Sequence, residues 1–204
     1  MIEGCKRQSP GKDTRLPITH NILKVLLHNL NFTCKTPYES VLYQTAFSLA
    51  YYALLRVGEF AAPSAYDTDR QIALTDIQIS KYAIKVTIRF SKTDQKGKSA
   101  VLTIPAQADP STCPLTLMKR YLGLRPTYHG ILFIHLDLTP LTRYQVSTML
   151  QTTLKLANIH HDQFKMHSFR IGRCSDLFRN QVPEDRIKEI GRWKSDAYKS
   201  YIRL

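Results

Sequence analysis

The stretch "MHSFRIGR", Met166 to Arg173, places His167 and Arg170 three residues apart among apolar Phe169 and Ile171, with Arg173 one turn further on. In a helix, positions i and i+3 share a face, so two cationic or titratable groups there repel unless something anionic lies opposite. No acidic residue stands in the four positions upstream of Arg170. Asp176 lies three residues past Arg173 and is the natural local partner of that arginine. Either a distant segment supplies a carboxylate to His167 and Arg170, or the face is built to meet an anion from outside. The planar guanidinium fork suits phosphate as well as carboxylate.

The rest of the composition points the same way. Of 204 residues, 29 are Lys or Arg and 16 are Asp or Glu, a net charge of +13. Such an excess implies a polyanionic partner, nucleic acid before membrane. A hydrophobic fraction of 43% is ordinary for a chain that buries a core. The longest apolar run, "TAFSLAYYALL" (Thr45 to Leu55), is far short of the roughly 20 residues needed to span a bilayer. The opening residues do not have the pattern of a signal peptide. Cys5, Cys34, Cys113 and Cys174 are scattered, without C-x-x-C or paired His spacing. That argues against a zinc site and a disulfide framework, and for a reducing intracellular compartment.

The periodicity predicts a mostly helical α+β domain. Residues 1–17, with Pro10, Gly11 and several basic residues, read as a linker or arm. "ITHNILKVLLHNL" predicts an amphipathic helix, with Ile22, Val25, Leu26 and Leu30 on its inner face. A central core helix should run from about Tyr38 to Arg56, with Gly58 as its end signal. "IALTDIQIS", "YAIKVTIRFS" and "SAVLTIP" predict a small three-stranded antiparallel sheet, the last two strands joined by "KTDQKGK". Helices follow over "PLTLMKRYLGL" and "TRYQVSTMLQTTLKLA", then three short ones begin near His167, Pro183 and Ser195.

Three further patches carry chemistry, each with an ordinary reading beside it. In "LLRVGEF", Arg56 and Glu59 are spaced for a local ion pair, and such pairs are common and weak. The hairpin from Lys81 to Lys98 holds six basic residues and one acidic. It is either a lysine-protected sheet edge or a basic finger for a DNA groove. "GRWKSDAYKSYIRL" carries Trp193, the only tryptophan, followed by Tyr198 and Tyr201; a lone Trp is ordinarily a core anchor.

Taken in order, these patches resemble the catalytic domain of tyrosine recombinases of the phage integrase type. "LLRVGEF" and "HSFRIGR" look like its two arginine boxes. "GRWKSDAYKSYIR" is similar to the tail of Cre recombinase, which has Trp where many relatives have His. With "DTRLPIT", that tail looks most like recombinases of eukaryotic tyrosine-recombinase retrotransposons and related mobile elements. The resemblance runs from about residue 13 to the end. It implies a DNA strand transferase that breaks and rejoins double-stranded DNA through a 3′-phosphotyrosine, with no metal or other cofactor. Arg56 and Arg170 would clamp one scissile phosphate, and His167 would donate to the same oxygens or assist proton transfer. Trp193 would add a hydrogen bond, and Glu59 would orient the site. Lys92, with Lys96 as fallback, would protonate the leaving 5′ oxygen, and Tyr201 would be the nucleophile. The missing anion of the opening stretch would then be a DNA phosphate.

The resemblance also sets finer expectations. Residues 18–204 should form the catalytic domain, with the N-terminal core-binding domain of the family absent from this chain. Trp193 and Tyr201 are eight positions apart, one fewer than in Cre, which makes Tyr198 a competitor for the nucleophile. The chain ends three residues beyond Tyr201, where relatives often continue into a segment that docks on a neighbouring protomer. A homotetramer on DNA is expected, and a nuclear location if the host is eukaryotic. The alternatives are a catalytically silent DNA-binding module derived from such a recombinase, and a type IB topoisomerase-like enzyme.

Overall fold

The structure, a computed structural model, describes residues 13–89 and 99–203. Helix α1 (His20–Thr33) starts at Thr19, whose hydroxyl accepts from the Ile22 amide. Its buried stripe is Leu23, Leu26, Leu27 and Leu30. Val25, expected on that face, is 40% exposed, and Ile22 is only partly buried. The spacing of the four leucines follows i, i+3, i+4, i+7 from Leu23, and this leucine register wins over the one drawn from Ile22.

Helix α2 (Pro37–Tyr52) is the core of the molecule, buried at every position from Ser40 to Tyr52. Its polar side chains are satisfied internally. Thr45 donates to the carbonyl of Val41, Ser48 to that of Thr112, and Gln44 to that of Leu27. Helices α1, α4 (Pro114–Leu124) and α6 (Ser168–Arg179) pack around it. Helix α2 ends four residues short of Arg56, earlier than the apolar run implied. Leu54 there takes φ 49°, in the left-handed region, which turns the chain. Arg56 is therefore the N-cap of a separate four-residue helix, α3 (Val57–Phe60), and Gly58 lies inside α3 rather than ending α2.

The sheet is three-stranded and antiparallel, in the order β1 (Ile77–Ile79), β2 (Ala83–Ile88), β3 (Ala100–Pro105). Ile84 faces Ile104 and Val86 faces Leu102, so one side of the pleat is buried. The first strand is shorter than its sequence pattern. Asp76 accepts from the Ala73 amide and pairs with Arg89, which winds Leu74–Asp76 into a 3-10 turn. Helices α5 (Arg143–Leu156) and α7 (Glu184–Gly191) and a closing 3-10 segment (Asp196–Tyr201) complete the element order. No helix among the described residues is long and apolar enough to cross a membrane.

Candidate active site

The site gathers at one end of α6. Arg170, on its first turn, has no exposed surface. Its Nη1 donates to the Leu54 carbonyl and its Nη2 to the Gly191 carbonyl at 3.2 Å, while Nε is buried without a partner among the described residues. Its guanidinium carbon lies 4.8 Å from the Trp193 ring and 5.5 Å from the Tyr201 ring. Burial, and after it the nearby Arg56 and Arg192, push the Arg170 guanidinium below its ordinary pKa. Among the described residues Arg170 makes no ion pair, so no distant segment within them supplies the carboxylate that its sequence context lacked.

The α2–α3 turn delivers Arg56 and Glu59. The Arg56 amide donates to Glu59 Oε2 at 2.9 Å and its Nη1 to Oε1 at 3.1 Å, the local pair that the spacing predicted. The pair is not isolated. Arg192 Nη2 reaches the same carboxylate at 2.7 Å, with both side chains more than nine-tenths buried. Three guanidiniums thus crowd one end of α6, and Glu59 is the one described carboxylate paired with any of them.

His167 is the N-cap of α6, half-buried, with its ring centroid 4.9 Å from that of Tyr201. Burial is the main reason its pKa falls to about 4, with Arg15 and Arg170 adding to the shift. The imidazole is therefore neutral near pH 7. Trp193 closes the other side of Tyr201, with centroids 5.0 Å apart. Gly191 makes this possible, because a Cβ there would lie 1.7 Å from the indole. Tyr198 lies one layer behind, fully buried in a small apolar cluster with Leu54, Cys174, Leu177 and Ile187, against which Trp193 and Tyr201 pack. Its hydroxyl makes no hydrogen bond of good geometry among the described residues, and burial, with the Glu184 carboxylate next, pushes its pKa up.

Arg56, Glu59, His167, Arg170, Trp193 and Tyr201 are thus brought together, and Tyr198 sits behind the Trp193 ring at 6.2 Å between centroids. Lys92, its fallback Lys96 and the connecting turn lie outside the described residues. One local expectation is overturned. Asp176 does not pair with Arg173; it accepts from the Tyr51 hydroxyl, the His20 amide and Arg179. The Arg173 guanidinium instead stacks over the rings of Tyr52 at 4.9 Å and Tyr51 at 5.4 Å.

Two contributors were not singled out in the sequence. Arg192 is one; its signal was a charged residue directly after Gly191 at a helix end. The other is the segment before α1, quoted as "DTRLPIT" for its resemblance but given no place at the site, beside which it runs. Leu16 donates to the Gln163 carbonyl and Ile18 to the Ser168 carbonyl, each at 3.0 Å. Asp13 binds Arg15 at 2.8 Å and Arg203 at 3.4 Å, which ties this segment to the chain just beyond Tyr201.

A comparison with curated protein sequences found no match. Among solved structures, the fold is similar to XerH site-specific recombinase in a post-cleavage complex with palindromic difH substrate. The TM-score is 0.72 at 14% identity, over 95% of this chain and 51% of that one. XerA recombinase gives 0.68 at 18% identity, over 93% of this chain and 60% of that one. A lambda integrase dimer bound to a COC′ core site gives 0.65 at 15% identity, over 96% and 49%. The chain spans about half to three-fifths of the length of these proteins, and the shared feature is the tyrosine recombinase catalytic fold. The model of the phage integrase family matches residues 18–202, nearly the whole chain, and the protein belongs to that family.

Proposed function

We propose that this domain is a DNA strand transferase that cleaves and rejoins double-stranded DNA through a covalent phosphotyrosine at Tyr201. The observation that carries the reading is Arg170, a buried cation with no carboxylate of its own among the described residues, lying against the ring of Tyr201. A phosphodiester under attack gathers negative charge on its equatorial oxygens, and fixed guanidinium donors stabilise that charge at little reorganisation cost. Arg56 and Arg170 clamp those oxygens. Glu59 holds Arg56 in place, and Trp193 contributes its indole N–H. His167, neutral at working pH, has one ring nitrogen to donate and one to accept. Tyrosine has an ordinary pKa near 10 and attacks poorly as the phenol. Its proton passes to the accepting ring nitrogen of His167, whose ring centroid lies 4.9 Å from that of Tyr201. Attack of the Tyr201 oxygen on phosphorus breaks the bond to the 5′ oxygen, which takes up a proton from Lys92. The phosphotyrosine bond then conserves the energy of the broken link, and a 5′ hydroxyl reverses the step.

The rings of Trp193 and Tyr201 cover Arg170, so phosphate entry requires the Asp196–Tyr201 segment to swing aside. The net charge of +13 supplies sequence-independent affinity that falls with salt. Binding to double-stranded DNA and assembly as a homotetramer belong to this reading, as does a role in the movement of an element. The shared fold and the 13-to-18% identities do not separate a recombinase from a type IB topoisomerase-like relative; the order of the short motifs favours recombinase.

The covered state of Arg170 favours a second reading, a DNA-binding module without cleavage activity. Covalent trapping separates them. The protein is incubated with a pool of nicked duplexes of randomised sequence and with supercoiled DNA, then quenched in denaturant. DNA-linked protein from wild type and none from Tyr201→Phe supports strand transfer. Equal salt-dependent binding by both, with no adduct from either, establishes the binding module.

A further inference from the structure

We propose that Arg192 is a positioning residue for the strand-transfer reaction, the tie that sets the α2–α3 turn and the end of α7 at a fixed separation around Arg170. The inference rests on the proposed function above. Arg192 makes three links to one short stretch. Nη1 donates to the Ala53 carbonyl at 3.2 Å, and Nη2 donates to the Leu54 carbonyl at 3.3 Å and to Glu59 Oε2 at 2.7 Å. The stretch from Ala53 to Glu59 carries Arg56, and the residue after Arg192 is Trp193. One guanidinium therefore joins the two parts of the chain that bring Arg56 and Trp193 to the site, which are separated by more than 130 residues.

The Leu54 carbonyl is the pivot, because it accepts from both Arg192 and Arg170. It points there because Leu54 takes a left-handed backbone, φ 49°, and Arg192 itself caps α7 with φ 58°. Neither residue is a glycine, so each carries the steric cost of a Cβ in that conformation. A glycine would end α7 more cheaply. Two strained residues meeting at one carbonyl, with two guanidiniums on it, is an arrangement held by its surroundings. Stability alone is a poor reason for it, since a buried ion pair replaced by apolar side chains is often neutral or stabilising.

The Nη1 and Nη2 acceptors of Arg192 all belong to the protein, and its Nε is buried with no partner among the described residues. Its effect is on where Arg56, Arg170 and Trp193 stand, and a misplacement of about 1 Å can cost on the order of 100-fold in rate. Arg192→Lys keeps the charge and loses the fork, so it can make one of the three links well but not all three.

The test compares wild type, Arg192→Met, Arg192→Lys, Glu59→Gln and the Arg192→Met/Glu59→Gln pair. For each, the rate of adduct formation is measured at saturating nicked duplex from the randomised pool, together with DNA affinity and the urea midpoint. Arg192→Met is expected to slow adduct formation about 100-fold while affinity stays within about threefold. Arg192→Lys is expected to recover part of that rate, and the double variant to be no slower than the slower single, as for two residues acting as one unit. Adduct formation by Arg192→Met within about threefold of wild type overturns the role, as does a slow rate wholly explained by its unfolded fraction. Wild type that forms no adduct overturns the strand-transfer reading and this role with it; wild type and Arg192→Met that form adduct equally well overturn the role of Arg192 alone.

Discussion

The imidazole of His167 and the phenol ring of Tyr201 stand 4.9 Å apart, centroid to centroid, with their planes tilted by 50°. His167 caps the helix that carries Arg170, and Tyr201 ends the last described helical segment, so this ring pair joins the start of α6 to the end of that segment. Its chemistry depends on the charge state of the imidazole.

Burial and the facing Arg15 and Arg170 lower the His167 pKa to about 4, against about 6.5 in an unfolded chain. Between those values the unfolded state binds a proton that the folded state does not. Stability from this group is therefore unaffected above about pH 6.5 and falls as pH drops from about 6.5 to about 4. Urea midpoints measured at pH 7.5, 6 and 5 should fall in wild type more steeply than in His167→Gln. Parallel curves would show that the imidazole is not held neutral by its surroundings.

Tyr198→Phe separates the two tyrosines by a different observable. The Tyr198 hydroxyl is buried with no well-formed hydrogen bond among the described residues and with Glu184 near it, so removing it sheds a poorly met desolvation cost. The variant should be as stable as wild type or more stable by up to about 1 kcal/mol. Its adduct yield should be unchanged under conditions where Tyr201→Phe gives none. A Tyr198→Phe protein that folds and forms no adduct would move the nucleophile to Tyr198.

What could be read in the sequence was local. Arg56 with Glu59, and His167 with Arg170, are each three residues apart, a separation that a helical turn converts directly into proximity. The alternation in β2 and β3 likewise gave their pairing, because a period of two leaves one buried face. The unread part depends on long-range packing. Nothing near Arg192 in sequence indicates that its guanidinium finds a carboxylate 133 residues away. Asp176 was locally the best partner for Arg173. The N-terminus of α1 and Tyr51 compete for it through the tertiary fold and win. The end of α2 was misplaced because Ala53, Leu54 and Leu55 are apolar and fully buried in a turn, where hydropathy looks the same as in a helix.

Arg170→Lys should separate transition-state stabilisation from binding. Lysine keeps the charge but loses the planar fork that now reaches Leu54 and Gly191. Adduct formation should fall about 1000-fold, the scale for losing a preorganised donor to developing charge. Affinity for a duplex should change by less than about threefold, with the same salt slope, because most of it comes from charges elsewhere on the surface. Equal losses in affinity and rate would mean that Arg170 holds ground-state DNA rather than the transition state.

Gly172→Ala and Gly123→Ala make a matched pair, since both glycines sit in helices and their surroundings are opposite. A Cβ on Gly172 in α6 would lie 1.7 Å from the carbonyl oxygen of Ile18 and 2.3 Å from its carbon, both backbone atoms. The segment before α1 crosses α6 at this point, held by the Ile18 amide on the Ser168 carbonyl. It must move away if a methyl group is added, and that takes Arg15 and Asp13 away from His167. Gly172→Ala should cost about 3 kcal/mol, within the range for overpacking a tight contact. Gly123, near the end of α4, is open: a Cβ added there would meet nothing within 4 Å. Alanine at that position should gain about 0.5 kcal/mol by restricting the unfolded chain and favouring the helix. Urea unfolding of the two variants beside wild type reads both signs at once. Stability of Gly172→Ala close to wild type would mean that the crossing segment is only loosely held.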